Sequence, residues 1–370
     1  MQARYRPVTH RLILSVLTAG LLIAAAAGVG QVQAPASFAS RIARLSELEG
    51  YFDTDNLISN EKSYLHVVPA LRQADFGGGA YVGVGPDQNF SYIAQVRPAI
   101  AFIIDVRRDN LLLQLLFKAL FQISETRVEY LCLLFGRPAP KVLDEWRLVD
   151  IKRLLAYIDS TSLSQEATAT LRAGVDAAIK GFDVPLSAAD LATIDRFHRT
   201  FIVNGPALKF ETTGRGPLSY YPTYRELLLE TDRQGNPWNF LVSEDDFQFV
   251  RSLQKRDLVI PVVGDLSGRS ALVAIGRMMS ERGDRLSAFY ASNVEYYLFR
   301  EGTFSKFVDN LSHLPHTNRS LLIRAIFAGA SPQQLAPGYA SASIVQRVDE
   351  LLQGYAIGRF KNYRELTIAR

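Results

Sequence analysis

One cysteine, Cys132, stands in 370 residues, so no disulfide can form within the chain. It sits in the apolar run Tyr130–Phe135, which predicts a buried, inert thiol rather than a nucleophile. Histidine is scarce too: of five, only His313 and His316 are close, and Pro315 between them spoils a shared helical face. No metal site is expected from that pair. No Gly-Lys-Ser/Thr follows a glycine-rich stretch, which excludes a P-loop. No Gly-x-Ser-x-Gly occurs, so a serine-hydrolase elbow is not indicated. There is no block of one charge sign. The net charge is +4, and Arg4, Arg6 and Arg11 in an acid-free N-terminus supply three of it, leaving +1 for the rest. Nucleic-acid binding through a basic patch is therefore not expected. No internal repeat or low-complexity tract is evident.

An apolar content of 48% with 21% charged residues suits a globular protein with a sizeable core. The N-terminus is different. Three arginines precede an uncharged run from Leu12 to Gly30, followed by small residues around Val32-Gln33-Ala34 and Pro35. Residues 1–36 thus read as a signal peptide or as an N-terminal membrane anchor, the run being just long enough to span a bilayer. By the charge bias the arginines stay inside. The protein is then expected to be exported, periplasmic or anchored to the membrane through this segment.

Residues 37–370 read as one α/β domain. Runs at 80–84, 100–104, 258–263 and 286–290 have the apolar character of buried strands, and segments of helical pattern lie between them. Such alternation predicts a mostly parallel sheet. About residues 110–255 no strand pattern occurs, and a large helical insertion is expected there. Leu111–Phe121 is apolar almost all round, as a buried helix is. Ser187 with Asp190 forms a capping pair for another helix. Glu244, Asp245 and Asp246 read as a solvated helix start. The aromatic stretch at 205–240 (Phe210, Tyr220, Tyr221, Tyr224, Trp238, Phe240) suits either a binding lid or a cover over a core edge. Ser320–Phe327 suggests a further strand, and Ile344, Val348, Leu351 and Leu352 mark a last amphipathic helix.

The stretch from Ala80 to Asp105 carries the most chemistry. It reads as strand, glycine turn (Gly83-Val84-Gly85), short helix and strand, with an acid at the second strand's end. Glycines there let the backbone turn sharply and pass close to a ligand, and a helix start aims free N–H groups at it. Asp105 lies twenty residues after Gly85, the interval at which such folds offer a carboxylate to a ribose diol. In open α/β sheets ligands bind beyond the carboxyl ends of the strands. The four expected ends (Gly83–Asn89, Asp105, Gly264–Asp265 and Ser292–Glu295) are all polar, and a small-molecule crevice is predicted where they meet.

The order strand, Gly-x-Gly, helix, strand, Asp resembles the first half of a class I S-adenosylmethionine-dependent methyltransferase, a Rossmann-like fold. The resemblance implies S-adenosylmethionine as cofactor, with Gly83, Gly85, Asn89, Asp105 and Asp265 around it, and Asn293 and Glu295 facing the substrate. The glycine turn would pass the amino-acid part of the cofactor, Asp105 would hold the ribose and Asp265 the adenine. The resemblance covers about a third of the chain. Tyr81 and Val82 replace the usual acid before the first glycine, and Gln88 stands where a third glycine is common. That third position argues further against a dinucleotide-dependent oxidoreductase. The segments Pro261–Asp265 and Ser292–Tyr297 also resemble a bacterial family of uncharacterised proteins. A methyltransferase-like enzyme is one reading. The alternative is an exported, non-enzymatic binding or structural protein on a degenerate scaffold of the same kind, since S-adenosylmethionine is made and kept in the cytoplasm and a fold does not fix a function.

Overall fold

The computed structural model describes Gln2 and residues 36–54, 56–212, 216–327 and 335–368. The chain divides into two compact units, Met1–Pro35 and Ala36–Arg370, and the description that follows is of the second. The expected signal or anchor segment lies outside the described residues. Among those described, no helix is long and apolar enough to cross a membrane.

The fold is mixed α/β, built on one six-stranded sheet in the order β3-β2-β1-β4-β5-β6. The strands are β1 (Ala80–Val84), β2 (Ile100–Asp105), β3 (Val259–Val263), β4 (Leu286–Ser292), β5 (Leu321–Phe327) and β6 (Ser341–Arg347). All pairings are parallel except β5 with β6. The first four are the strands expected from sequence, and their near-continuous apolar runs reflect burial on both faces. Pro261 lies within β3 opposite Ile103. A proline donates no ladder bond, and it is tolerated here because β3 is an edge strand.

Between β2 and β3 runs a helical block with seven α-helices among the described residues, from Arg108–Ile123 to Glu244–Lys255. The first is buried continuously from Asn110 to Phe121. Its all-round apolar surface follows from its place, with β2 and β3 against one side and the helices Gln165–Lys180 and Ala188–Asn204 against another. Lys118 is the one charged residue in that run. Its ammonium ion-pairs with Asp257 at 2.7 Å and lies over the rings of Phe38 and Phe182, so a buried cation is compensated. Ser187 and Asp190 form the expected capping box for Ala188–Asn204. Glu244–Asp246 open the last helix of the block, with Arg97 pairing to Asp246 at 3.2 Å and Arg147 to Glu244 at 3.1 Å.

One expected element is corrected. The amphipathic helix anticipated from Ile344 begins only at Val348 and runs to Ala356. Ile344 belongs instead to β6, paired with Arg324 of β5. The spacing of 344, 348 and 351 fits a helix, but the open edge of β5 offers a seven-residue antiparallel ladder that satisfies this backbone first. Ser341 and Ser343 then turn inward and share hydrogen bonds with Ser63 at 3.1 and 3.3 Å.

Candidate functional site

The strand order reverses between β1 and β4, since β2 and β3 follow on one side of β1 and β4 and β5 on the other. Such a reversal opens a crevice at the carboxyl ends of the strands. A cavity of about 360 Å³ lies there. Its floor and walls come from Val84 and Gly85 at the end of β1, Ile104 and Asp105 of β2, Gly264 and Asp265 after β3, and Tyr290, Ser292 and Asn293 at the end of β4. Two earlier segments close the remaining side: Gly50–Phe52, and Asn56 with Ser59–Glu61.

Of the residues singled out from sequence, Gly85, Asp105, Asp265 and Asn293 line this one cavity. Gly85 has φ +83°, a conformation that L side chains rarely adopt, so the turn requires glycine. Gly83, Asn89 and Glu295 are placed elsewhere. A Cβ on Gly83 would stand 1.9 Å from Asn89 Oδ1 and 2.7 Å from Tyr81 Oη, so this glycine makes room for packing beneath the turn. Asn89 is fully buried and braces the turn. Its amide donates to the carbonyls of Val84 at 2.9 Å and Pro86 at 2.7 Å, and its Oδ1 accepts from Tyr81 Oη at 2.7 Å. Glu295 faces the core, where it forms a two-point ion pair with Arg324 at 2.5 and 3.1 Å, both residues being 0–1% exposed at the side chain. Arg324 also donates to Gln346 Oε1 at 2.9 Å.

Asp105 is not an open carboxylate. Arg107 donates to its Oδ1 from both backbone N–H and Nε at 3.0 Å, and to its Oδ2 from Nη2 at 2.9 Å. Oδ1 has thus filled both acceptor positions, and Oδ2 keeps one. Arg107 also donates through Nη1 to the Thr54 carbonyl, and it lines the cavity beside Asp105. Two of its five N–H groups have no partner among the described residues. Asp265 Oδ1 accepts from the Ser267 backbone N–H at 2.8 Å and hydroxyl at 3.0 Å, which folds the loop after β3. That loop is clasped by Glu47. Its Oε1 accepts from the Asp265 N–H at 3.0 Å, and its Oε2 from Ser270 N–H and Oγ at 3.0 Å and from Ala271 N–H at 3.3 Å. A carboxylate thereby caps the N-terminus of the helix Ala271–Arg282.

Sequence reasoning missed Glu61, Tyr290 and Arg107, and it gave Ser292 only as the first residue of a polar strand end. Glu61 is 2% exposed yet reaches the cavity. It accepts hydrogen bonds from Tyr290 Oη at 2.6 Å, from Ser292 Oγ and from Gln88 Nε2 at 3.4 Å. Burial pushes its carboxyl above the ordinary range, against the pull of those three donors. Tyr290 is held well above its ordinary value by burial and by the neighbouring Glu61. Ser292 has φ +52°, a left-handed turn that ends β4 and aims its hydroxyl at Glu61. In the sequence Ser59-Asn60-Glu61 resembled only a helix-capping segment, and it does precede the short 3₁₀ helix Lys62–Val67. The substitution of Gln88 for a third glycine, with Tyr81 and Val82 in place of the usual acid, was the visible sign of an altered crevice.

The aromatic stretch at 205–240 lines no part of this cavity. Phe210, Tyr224 and Phe240 are buried in the core, and Tyr220 is exposed. Cys132 is buried, and burial pushes its thiol up to about 12.

A mixed α/β protein with a cavity at the switch of a mostly parallel sheet is the class that fold and site define. Within it, the chain belongs to the family described as Domain of unknown function (DUF7790), whose pattern matches residues 56–138 and 213–353. Those two spans hold all six strands, and the gap between them falls within the helical block. No curated protein matches the chain.

Proposed function

We propose that the crevice binds S-adenosylmethionine or a related nucleoside, and that the protein is a methyltransferase-like enzyme on a Rossmann-like sheet. The observation that carries this is the convergence of Gly85, Asp105, Asp265 and Asn293 on one cavity. The strand order is that of the doubly wound folds that place nucleotides at such a switch point. In this reading Gly85 passes the ligand's tail. Asp105 and Arg107 act together on the ribose. Asp105 Oδ2 accepts from one hydroxyl, and the spare N–H groups of Arg107 donate to hydroxyl oxygens. Asp265 lies on the side of the base, and Asn293 on the side of the methyl acceptor. Residues 1–36 serve as the signal or anchor that brings the domain to or across the membrane.

One observation favours the other reading, an exported non-enzymatic binding or structural protein. The carboxylate expected to hold a ribose is already engaged three times by Arg107. Calorimetry with S-adenosylmethionine, its demethylated product and NAD separates the two. Binding of the first two, with NAD weaker, supports the methyltransferase-like reading. No binding of any nucleoside at millimolar concentration ends it and leaves the scaffold reading.

A further inference from the structure

Glu61 and Gln88 both line the cavity, and neither has its ordinary surroundings. Glu61 is buried with only neutral partners. Ser292, Tyr290 and Gln88 are the groups that oppose the cost of its burial, and no cation is among them. Gln88 is 5% exposed. Its Nε2 donates to Glu61, and its Oε1 has no hydrogen-bond partner among the described residues. Turning the amide over would set Oε1 against the carboxylate, so Glu61 fixes which end of Gln88 is left over. The result is a buried acceptor without a donor next to a buried carboxylate without a cation. Buried polar groups of this kind normally find partners, and leaving them unpaired costs free energy.

The chemistry of the missing partner follows. An anion is excluded by Glu61. A hydroxyl brings one donor and no charge. A protonated amine brings three donors and the compensating charge. The geometry points to a subsite for a protonated amine, held by the Glu61 carboxylate and the Gln88 amide oxygen, so that the crevice's ligand carries an alkylammonium group. This deepens the nucleoside reading and rests on it for the remainder of the ligand. The subsite is made by residues outside the glycine turn and the strand-end acids, and it offers a carboxylate where Tyr81 and Val82 supply none.

The test uses the full-length protein and ligands that differ only in the amine. Decarboxylated S-adenosylhomocysteine and S-propylthioadenosine share the nucleoside, the thioether and the three-carbon chain, and only the first carries an ammonium. Wild type should bind the first at least about tenfold more tightly, the size expected of a charge-assisted contact. Glu61→Gln should bring that ratio to about one by weakening binding of the ammonium ligand, and Gln88→Leu should lower it. In parallel, n-butylamine should raise the melting temperature of wild type above that seen with butan-1-ol, and Glu61→Gln should abolish the difference. If S-propylthioadenosine binds and the ratio is one in wild type, the amine subsite is overturned and the nucleoside reading stands. If neither nucleoside binds, the nucleoside reading falls, and equal melting with n-butylamine and butan-1-ol overturns the subsite as well. Should Glu61→Gln not fold, an unchanged ratio in Gln88→Leu overturns it.

Discussion

Replacing Asp87 by Asn should change how the protein's stability depends on pH. Asp87 follows the glycine turn, is 4% exposed, and accepts a hydrogen bond from the hydroxyl of Tyr224 in the helical block. Burial pushes its carboxyl from 3.8 up to about 7, against the pull of Tyr224 and of the backbone N–H groups of Asp87 and Gln88. A raised acid holds its proton more tightly in the folded chain than in the unfolded one. Its contribution to stability is therefore full below 3.8, declines as pH rises towards 7, and is lost above that. At about 1.4 kcal/mol per unit the whole loss is about 4 kcal/mol, of which about 2–3 kcal/mol falls between pH 5 and pH 8. Asn accepts the same bond from Tyr224 without ionising. Urea melts of wild type and Asp87→Asn at pH 5 and pH 8 test this. The variant should gain about 2–3 kcal/mol on wild type over that interval, whatever constant offset its new amide introduces. Parallel profiles would show that Asp87 titrates alike in both states, and would refute the reasoning.

Gly83→Ala should destabilise the fold by about 1–3 kcal/mol or more in urea melts, because its Cβ would stand 1.9 Å from Asn89 Oδ1 inside a buried strand. A variant as stable as wild type would mean that Asn89 does not brace the turn. Asp105→Ala should weaken nucleoside binding about ten- to a hundredfold by calorimetry, the worth of the one acceptor position that Arg107 leaves open. Unchanged affinity would remove Asp105 from the ligand. Arg324→Met should cost about 3–5 kcal/mol, since it strands the Glu295 carboxylate in the core. A loss below about 1 kcal/mol would mean that Glu295 is neutral or hydrated there.

The first four strands were legible because burial on both faces writes short apolar runs bounded by turn residues, and the helical block because its apolar residues fall in longer or helically spaced segments. β6 was not. Its Ser341, Ser343 and Ile344 carry little strand signal, and the edge of β5 that recruits them is set by the rest of the sheet. The crevice was half legible. Gly85, Asp105 and Asp265 announce themselves at strand ends, where chain order and space coincide. Glu61 does not, since it comes from a polar stretch before the sheet and meets Tyr290 and Ser292 only across 229 and 231 residues of chain. Glu295 shows the opposite case. It sits three residues beyond β4 in a promising motif, but one helical turn carries it round to Arg324 and into the core.

The clasp made by Glu47 bears on how the protein can be divided. The family match begins at residue 56. A fragment cut there would keep every strand and lose the carboxylate that caps Ala271–Arg282, the Thr54 carbonyl that steadies Arg107, and the Gly50–Phe52 wall of the cavity. Such a fragment can retain its sheet while its crevice stands open on one side. A fragment starting at Ala36 keeps all three, together with the helix Phe38–Leu45 that leads the chain into the clasp.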